Sequence, residues 1–163
     1  DLGPPSDILF LPYLSGERTP HNDSKIRGAF LNLDIAHTKS DLTRAVLQGV
    51  SFALRDSLEA LKATGANLER VLAIGGGSQS PYWLAQLATV LNLTLDVPAK
   101  GEFGAALGAA RLALCAATNA NPNAVMTKPD IANTIAPDPK LTSAYDAAYT
   151  TWKHAYPAVK DVI

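Results

Sequence analysis

The stretch VLAIGGGSQSPYW, residues 71–83, decides the fold class of this 163-residue chain. Its first four residues are apolar and predict a strand that is buried on both faces, as in a parallel sheet. Three glycines then predict a bend, after which Ser80 and Pro81 are the N-cap and first residue of a helix that continues to Leu91. A second apolar run at residues 93–97 predicts the next strand. Together they form a strand–helix–strand unit with parallel strands.

Upstream of this unit, short apolar runs at residues 8–11 and 28–33 predict two strands joined by a polar loop. Thr38 and Asp41 form a capping-box pattern that begins a long helix, and Gly65 is placed to end it. Within that helix we expect Gln48 to be buried and hydrogen-bonded, next to a glycine that lets two backbones approach.

Downstream, the sequence predicts a helix over residues 105–117, an irregular segment over residues 118–139 and a final helix over residues 141–156. The order of strands and helices indicates an α/β layered domain.

Composition excludes several classes of function. The net charge is −1 and the 14 Lys and Arg residues are dispersed, which gives no footprint for nucleic acid. No apolar run approaches the roughly 18 residues of a membrane span, so no membrane partner is expected. The lone Cys115 cannot form an internal disulfide, which favours a cytoplasmic location. The three histidines lack ligand spacing, and no metal site is predicted.

The glycine bend has three interpretations from the residues alone. It is a tight turn with close packing, a site where an anion or nucleotide reaches backbone amides, or a dinucleotide-binding turn. For the third, Gly75 and Gly77 are followed about 20 residues later by Asp96, but Ser80 stands where a third glycine belongs. The pattern favours nucleotide binding and leaves its type open.

Several segments together resemble a known family. They are YLSGERTPH at residues 13–21, GAFLNL at 28–33 with DLTRAVLQGV at 41–50, IGGGSQSPYW at 74–83, and GAALGAA at 104–110. These are similar to the FGGY family of carbohydrate kinases: to its second signature, its adenosine-binding motif and its closing interdomain helix. Asn32 departs from the glycine that is usual in the signature.

The resemblance implies an α/β fold of the actin-like, ribonuclease-H-like ATPase class, with a mixed sheet and flanking helices. Residues 1–163 would be part of the C-terminal nucleotide-binding domain, and the N-terminal sugar-binding catalytic domain would be absent. The start at Asp1, without methionine, is expected to be a cut in a linker or loop. The missing domain is therefore an expected partner, and a homodimer through the exposed face is another.

The resemblance also implies a set of site residues. Gly76, Gly77 and Ser78 would face the adenosine and α-phosphate, while Gln79 and Pro81 would lie beside the base or ribose. Glu17 and Arg18 would belong to a loop that approaches the cleft, although they could instead pair with each other or order the loop. No catalytic residue is expected within this chain.

The implied reaction is phosphorylation of a sugar by ATP with Mg²⁺, and the fragment alone is expected to be inactive. The stretch at residues 13–21 favours D-xylulose, converted to D-xylulose 5-phosphate in xylose metabolism. Alternatives are a kinase for ribulose, gluconate or glycerol, or a non-catalytic nucleotide-binding module.

Overall fold

The computed structural model describes residues 1–99 and 104–162. The strands are β1 Leu9–Leu11, β2 Ala29–Leu31, β3 Arg70–Leu72, β4 Thr94–Pro98 and β5 Ile131–Ile135. The helices are α1 Lys39–Ala63, α2 Pro81–Leu91, α3 Ala105–Thr118, α4 Pro122–Val125, α5 Thr142–Trp152 and α6 Ala155–Val159, with a 3₁₀ turn at Gly76–Gln79. No helix among the described residues combines the length and the apolar character needed to cross a bilayer.

The strands form two separate sheets. β1 and β2 pair antiparallel, with Phe10 opposite Phe30. β3, β4 and β5 form a mixed sheet in that order, with β3 parallel to β4 and β4 antiparallel to β5. The predicted parallel unit β3–α2–β4 is therefore confirmed.

Helix α1 begins and ends where its capping residues predict. The Thr38 hydroxyl accepts from the Asp41 amide while the Asp41 carboxylate accepts from the Thr38 amide, so two of the helix's first free donors are satisfied. At the other end Gly65 has φ +92°, the left-handed conformation that glycine adopts without steric cost.

The middle of α1 lies directly against β1. A Cβ built on Gly49 would stand 2.2 Å from the Phe10 carbonyl oxygen, so the two backbones touch only because Gly49 has no side chain. Beside it, buried Gln48 accepts from the Ser6 amide at 2.7 Å and donates to the Ser6 carbonyl at 3.0 Å. The expected buried role of Gln48 is confirmed.

An aromatic cluster fills the space between α1, β1 and α5. Phe52 of α1 lies 5.6 Å from Tyr149 and 5.7 Å from Trp152, measured between ring centroids. The Trp152 indole donates to the Phe10 carbonyl at 2.8 Å, so the buried ring satisfies its polar atom. Tyr13 packs edge-on against Trp152. This cluster fixes α5 and the chain that follows β1.

The prediction of an irregular segment at residues 118–139 was wrong, because the segment contains α4 and β5. β5 adds to the free edge of β4, with Leu95 opposite Ile135. Four of the five β5 side chains are exposed. Because no face of this strand is buried, its sequence lacks the alternating apolar pattern by which a half-buried strand is predicted.

The prediction of one continuous final helix was also wrong. α5 ends at Trp152 and α6 begins at Ala155. In an unbroken helix Pro157 would remove a hydrogen bond and its ring would collide with the Lys153 carbonyl. The break places Pro157 in the first turn of α6, where proline is tolerated.

The apolar run that contains β3 is not buried on both faces within this chain, contrary to the prediction. Leu72 is 37% exposed and Ile74 is 45% exposed. They line an apolar groove of about 380 Å³ together with Leu54 and Leu61 of α1 and Leu87 of α2. The run carries the composition of a covered strand, but the described residues leave this face open.

Replacing Gly49 by alanine should destabilise the protein by about 1–3 kcal/mol, because the new methyl group must push α1 away from β1. Thermal unfolding followed by circular dichroism measures the effect. The control is Gly108→Ala in α3, where an added Cβ meets no atom within 4 Å. That control should be neutral or slightly stabilising, since alanine favours a helix interior. Equal stability of the Gly49 variant and the wild type would contradict the backbone contact.

Candidate functional site

The glycine bend leaves the sheet at the end of β3. The Ala73 amide still donates to the Asp96 carbonyl at 2.8 Å, and Gly75 then takes φ +85° and turns the chain away. The Ser78 amide and hydroxyl both donate to the Gly75 carbonyl, at 3.1 and 2.7 Å. These two bonds hold the following 3₁₀ turn in place.

Two glycines of the bend are glycine for different reasons. A Cβ on Gly77 would lie 2.5 Å from the Trp83 ring, so close packing within the chain already explains that residue. A Cβ on Gly76 would meet no atom of residues 1–99 and 104–162 within 4 Å, and Gly76 is exposed. Packing among these residues therefore does not require glycine at position 76, where an approaching ligand would have open access to the backbone.

The first turn of α2 has few free backbone amides for a ligand. The Ser80 hydroxyl accepts from the Trp83 amide at 3.3 Å, and Pro81 has no amide to offer. Backbone donors for a ligand must therefore come mainly from the bend itself. Gln79 and Pro81 are exposed beside it and Ser78 is half-buried, so all five sequence-predicted residues lie in one surface segment.

Asp96 does not fit the dinucleotide-binding interpretation. It lies within β4, opposite Leu72 of β3. The Arg70 Nε donates to its carboxylate at 2.9 Å and the Thr134 hydroxyl donates at 2.9 Å. These hydrogen bonds, the Arg70 bond foremost, hold the pKa of Asp96 below its usual range. The carboxylate that would bind a ribose in that fold is thus occupied by a cross-strand network.

The polar loop between β1 and β2 is closed by its own backbone. The Glu17 and Asp23 amides and carbonyls exchange hydrogen bonds of 2.8 and 2.7 Å. The Glu17 carboxylate accepts from the His21 amide at 2.7 Å, which orders the turn. Arg18 is exposed at the tip of this loop and forms no hydrogen bond or ion pair within residues 1–99 and 104–162.

Sequence reasoning missed a buried polar cluster beneath this loop. Asp56 of α1 accepts a hydrogen bond from the Tyr149 hydroxyl and lies 3.8 Å from the His21 Nε2. One signal was present in the sequence: Asp56 continues the buried stripe of Ala45, Gly49 and Phe52 at helical spacing. An acid on an apolar stripe needs a partner in the tertiary structure.

Three other carboxylates have local roles. Asp34 accepts from the Ala36 amide at 2.7 Å, Asp41 caps α1, and Glu59 pairs with Lys62 at 3.2 Å. In the part of the chain that the structure describes, no three His, Cys, Asp or Glu side chains are grouped to hold a metal ion.

Comparisons with known proteins agree with one another. Residues 3–117 match the C-terminal domain of the FGGY family of carbohydrate kinases. A xylulose kinase of Escherichia coli (strain K12) is 40% identical over 91% of this chain and 31% of its own length. A solved structure described as a xyloylose kinase from Brucella ovis superposes with a TM-score of 0.90 at 51% identity, over 100% of this chain and 34% of that chain.

A Plasmodium falciparum glycerol kinase solved with ADP shares the fold, with a TM-score of 0.73 at 20% identity over 94% of this chain and 31% of that chain. These similarities confirm the predicted actin-like ATPase fold class. The chain spans about a third of the length of the relatives that it matches. It belongs to the FGGY family of carbohydrate kinases, within the C-terminal domain of that family.

Proposed function

We propose that this chain is the nucleotide-holding part of a sugar kinase that transfers a phosphoryl group from ATP to D-xylulose and forms D-xylulose 5-phosphate. The observation that carries the proposal is the bend after β3, where Gly76 leaves open space against an exposed backbone. The names of the relatives support the reaction class and the sugar.

Within the proposed site, Gly76 admits the nucleotide to the backbone, and the amides of the bend bind its phosphate or ribose oxygens. Ser78 holds the shape of the bend through its two bonds to Gly75. Gln79 and Pro81 border the base or ribose. The bound nucleotide supplies the phosphoryl group, and the contribution of the bend is to fix its position relative to the sugar.

We propose that the groups that carry out the chemical step lie outside this chain. Among the described residues, Asp34, Asp41 and Glu59 are engaged in turns, caps and ion pairs. We place the base that accepts the sugar hydroxyl proton in the rest of a full-length kinase, as the resemblance to the family implies. Among the described residues no three His, Cys, Asp or Glu side chains are grouped, and we derive no step from the Mg²⁺ that the family implies.

The exposed apolar groove beside β3 supports the presence of another domain in the same polypeptide. The groove includes four large apolar side chains that are each more than a third exposed: Leu54, Leu61, Leu72 and Ile74. Exposing apolar side chains of this size to water costs free energy. We propose that the missing domain of the full-length kinase covers this face, and that an isolated chain would self-associate through it.

Phosphorylation of xylulose by ATP also supports a cytoplasmic location.

A second candidate is a kinase for another sugar or polyol. The preference for xylulose as the sugar rests on the resemblance of residues 13–21, the loop that contains Arg18. The solved relatives also include a gluconate kinase from Lactobacillus acidophilus at 28% identity.

The full-length protein should release ADP fastest with D-xylulose in a coupled assay against D-xylulose, D-ribulose, gluconate and glycerol. The 163-residue chain alone should turn over none of them, because the group that accepts the hydroxyl proton is absent. Faster turnover of one of the other three substrates would replace xylulose as the proposed sugar. Turnover by the isolated chain would contradict the assignment of the reacting groups to another domain.

Gly76→Val in the full-length protein should weaken ADP binding at least about tenfold, equivalent to about 1.4 kcal/mol, because the side chain fills the open space on the bend. Isothermal titration calorimetry measures the affinity. Gly77→Val would not serve, since its side chain would collide with Trp83 and disturb the fold.

Gly3→Val is the matched control for that experiment, because a Cβ at Gly3 would meet, among the described residues, the Arg44 Nη2 alone, at 3.9 Å. The control should bind ADP as tightly as the wild type. If Gly76→Val does so as well, the nucleotide site lies elsewhere.

A further inference from the structure

Asp56 is a carboxylate in the core of the chain. It is 7% exposed, and its two oxygens face two different segments. One accepts from the Tyr149 hydroxyl on α5, and the other lies 3.8 Å from the Nε2 of His21 in the polar loop. Burial raises the pKa of Asp56, while the Tyr149 hydrogen bond, His21 and Lys153 act against that rise. A buried acid carries a free-energy cost, so these partners define its role.

His21 connects this buried acid to the loop. Its ring stacks on Tyr156 of α6, with 3.7 Å between centroids and an interplanar angle of 9°. The Tyr156 hydroxyl in turn donates to Asp23 at 3.0 Å, at the base of the loop. The His21 backbone amide donates to the Glu17 carboxylate at 2.7 Å. His21 therefore links two parts of the molecule: its ring stacks on Tyr156, and its backbone amide holds the Glu17 carboxylate.

The tip of the loop is held on its other side by α1. The Ser57 hydroxyl lies 3.3 Å from the Thr19 carbonyl, within hydrogen-bond distance. Arg18 lies between Glu17 and Thr19 and lines two open cavities of about 500 and 340 Å³. Its neighbours on both sides are anchored, while its own side chain has no partner among the described residues. The guanidinium is thus presented outward from a fixed backbone.

We propose that Asp56 and His21 are positioning residues that hold the residue 16–21 loop so that Arg18 reaches the substrates of the kinase. The proposal rests on the proposed kinase function for its last step. Asp56 acts from beneath the loop and touches no substrate. Arg18 is the group that makes the outward contact.

The first test measures loop order in the full-length protein by trypsin cleavage after Arg18, followed by mass spectrometry. Asp56→Ala and His21→Phe should be cleaved roughly tenfold faster than the wild type, since each removes the polar contact between the buried Asp56 side chain and the His21 ring, which holds the loop against local opening. His21→Phe keeps a ring to stack on Tyr156 and removes only the polar contact. Asp56→Asn keeps an acceptor for Tyr149 and should restore most of the protection.

Glu59→Ala is the matched control, because Glu59 lies three residues from Asp56 on α1 but is exposed and pairs with Lys62. Its cleavage after Arg18 should equal that of the wild type. Unchanged cleavage in both Asp56→Ala and His21→Phe overturns the proposal.

The second test separates positioning from a merely structural role. Arg18→Ala and His21→Phe should each lower kcat/KM for the sugar, and the double variant should lose no more than the larger single effect, because His21 acts through Arg18. ADP affinity, which depends on the separate bend, should remain at the wild-type value in all three. Losses that multiply in the double variant overturn the proposal.

The two tests also distinguish failure of the positioning role of Asp56 and His21 from failure of the proposed kinase function. If the wild type phosphorylates none of the sugars, the kinase function and the role of Arg18 in it are rejected. The cleavage experiment would still decide whether Asp56 and His21 order the loop.

Discussion

The contact between Gly49 and the Phe10 carbonyl constrains the rest of this structure. Because α1 touches the backbone of β1 there, the 25-residue helix lies across the layer at a fixed depth. Its remaining contacts follow from that depth: Ser51 accepts from the Trp83 indole at 3.1 Å, and Arg55 pairs with Asp146 of α5 at 2.6 Å. α2, α5 and the polar loop are all positioned from this one helix, so the candidate site and the aromatic cluster share a common reference.

The two candidate functional features of the chain are built in different ways. The glycine bend is exposed and its backbone is accessible, because its glycines lack side chains. The residue 16–21 loop is also at the surface, but it is tied to a buried carboxylate and a stacked histidine. Its position is therefore fixed by polar side chains that are buried with partners.

Electrostatics within the mixed sheet distinguishes this domain from a dinucleotide-binding one. Arg70, Asp96 and Thr134 link β3, β4 and β5 through side-chain hydrogen bonds. The acid at the expected spacing from the glycines is therefore part of the cross-strand network. The spacing in the sequence was real, but spacing alone does not report which partner an acid finds when strands that are distant in the chain become neighbours.

The sequence by itself determined the elements whose signals are local. Thr38 with Asp41, Ser80 with Pro81, and the left-handed Asn92 define helix ends through bonds within a few residues, so α1 and α2 were predictable. Tertiary structure alone decided two other features. β5 pairs with the free edge of β4, and Asp56 is tolerated because Tyr149 and His21 arrive from distant segments. Each of these depends on residues that are close only after folding, and no local pattern encodes such a distance.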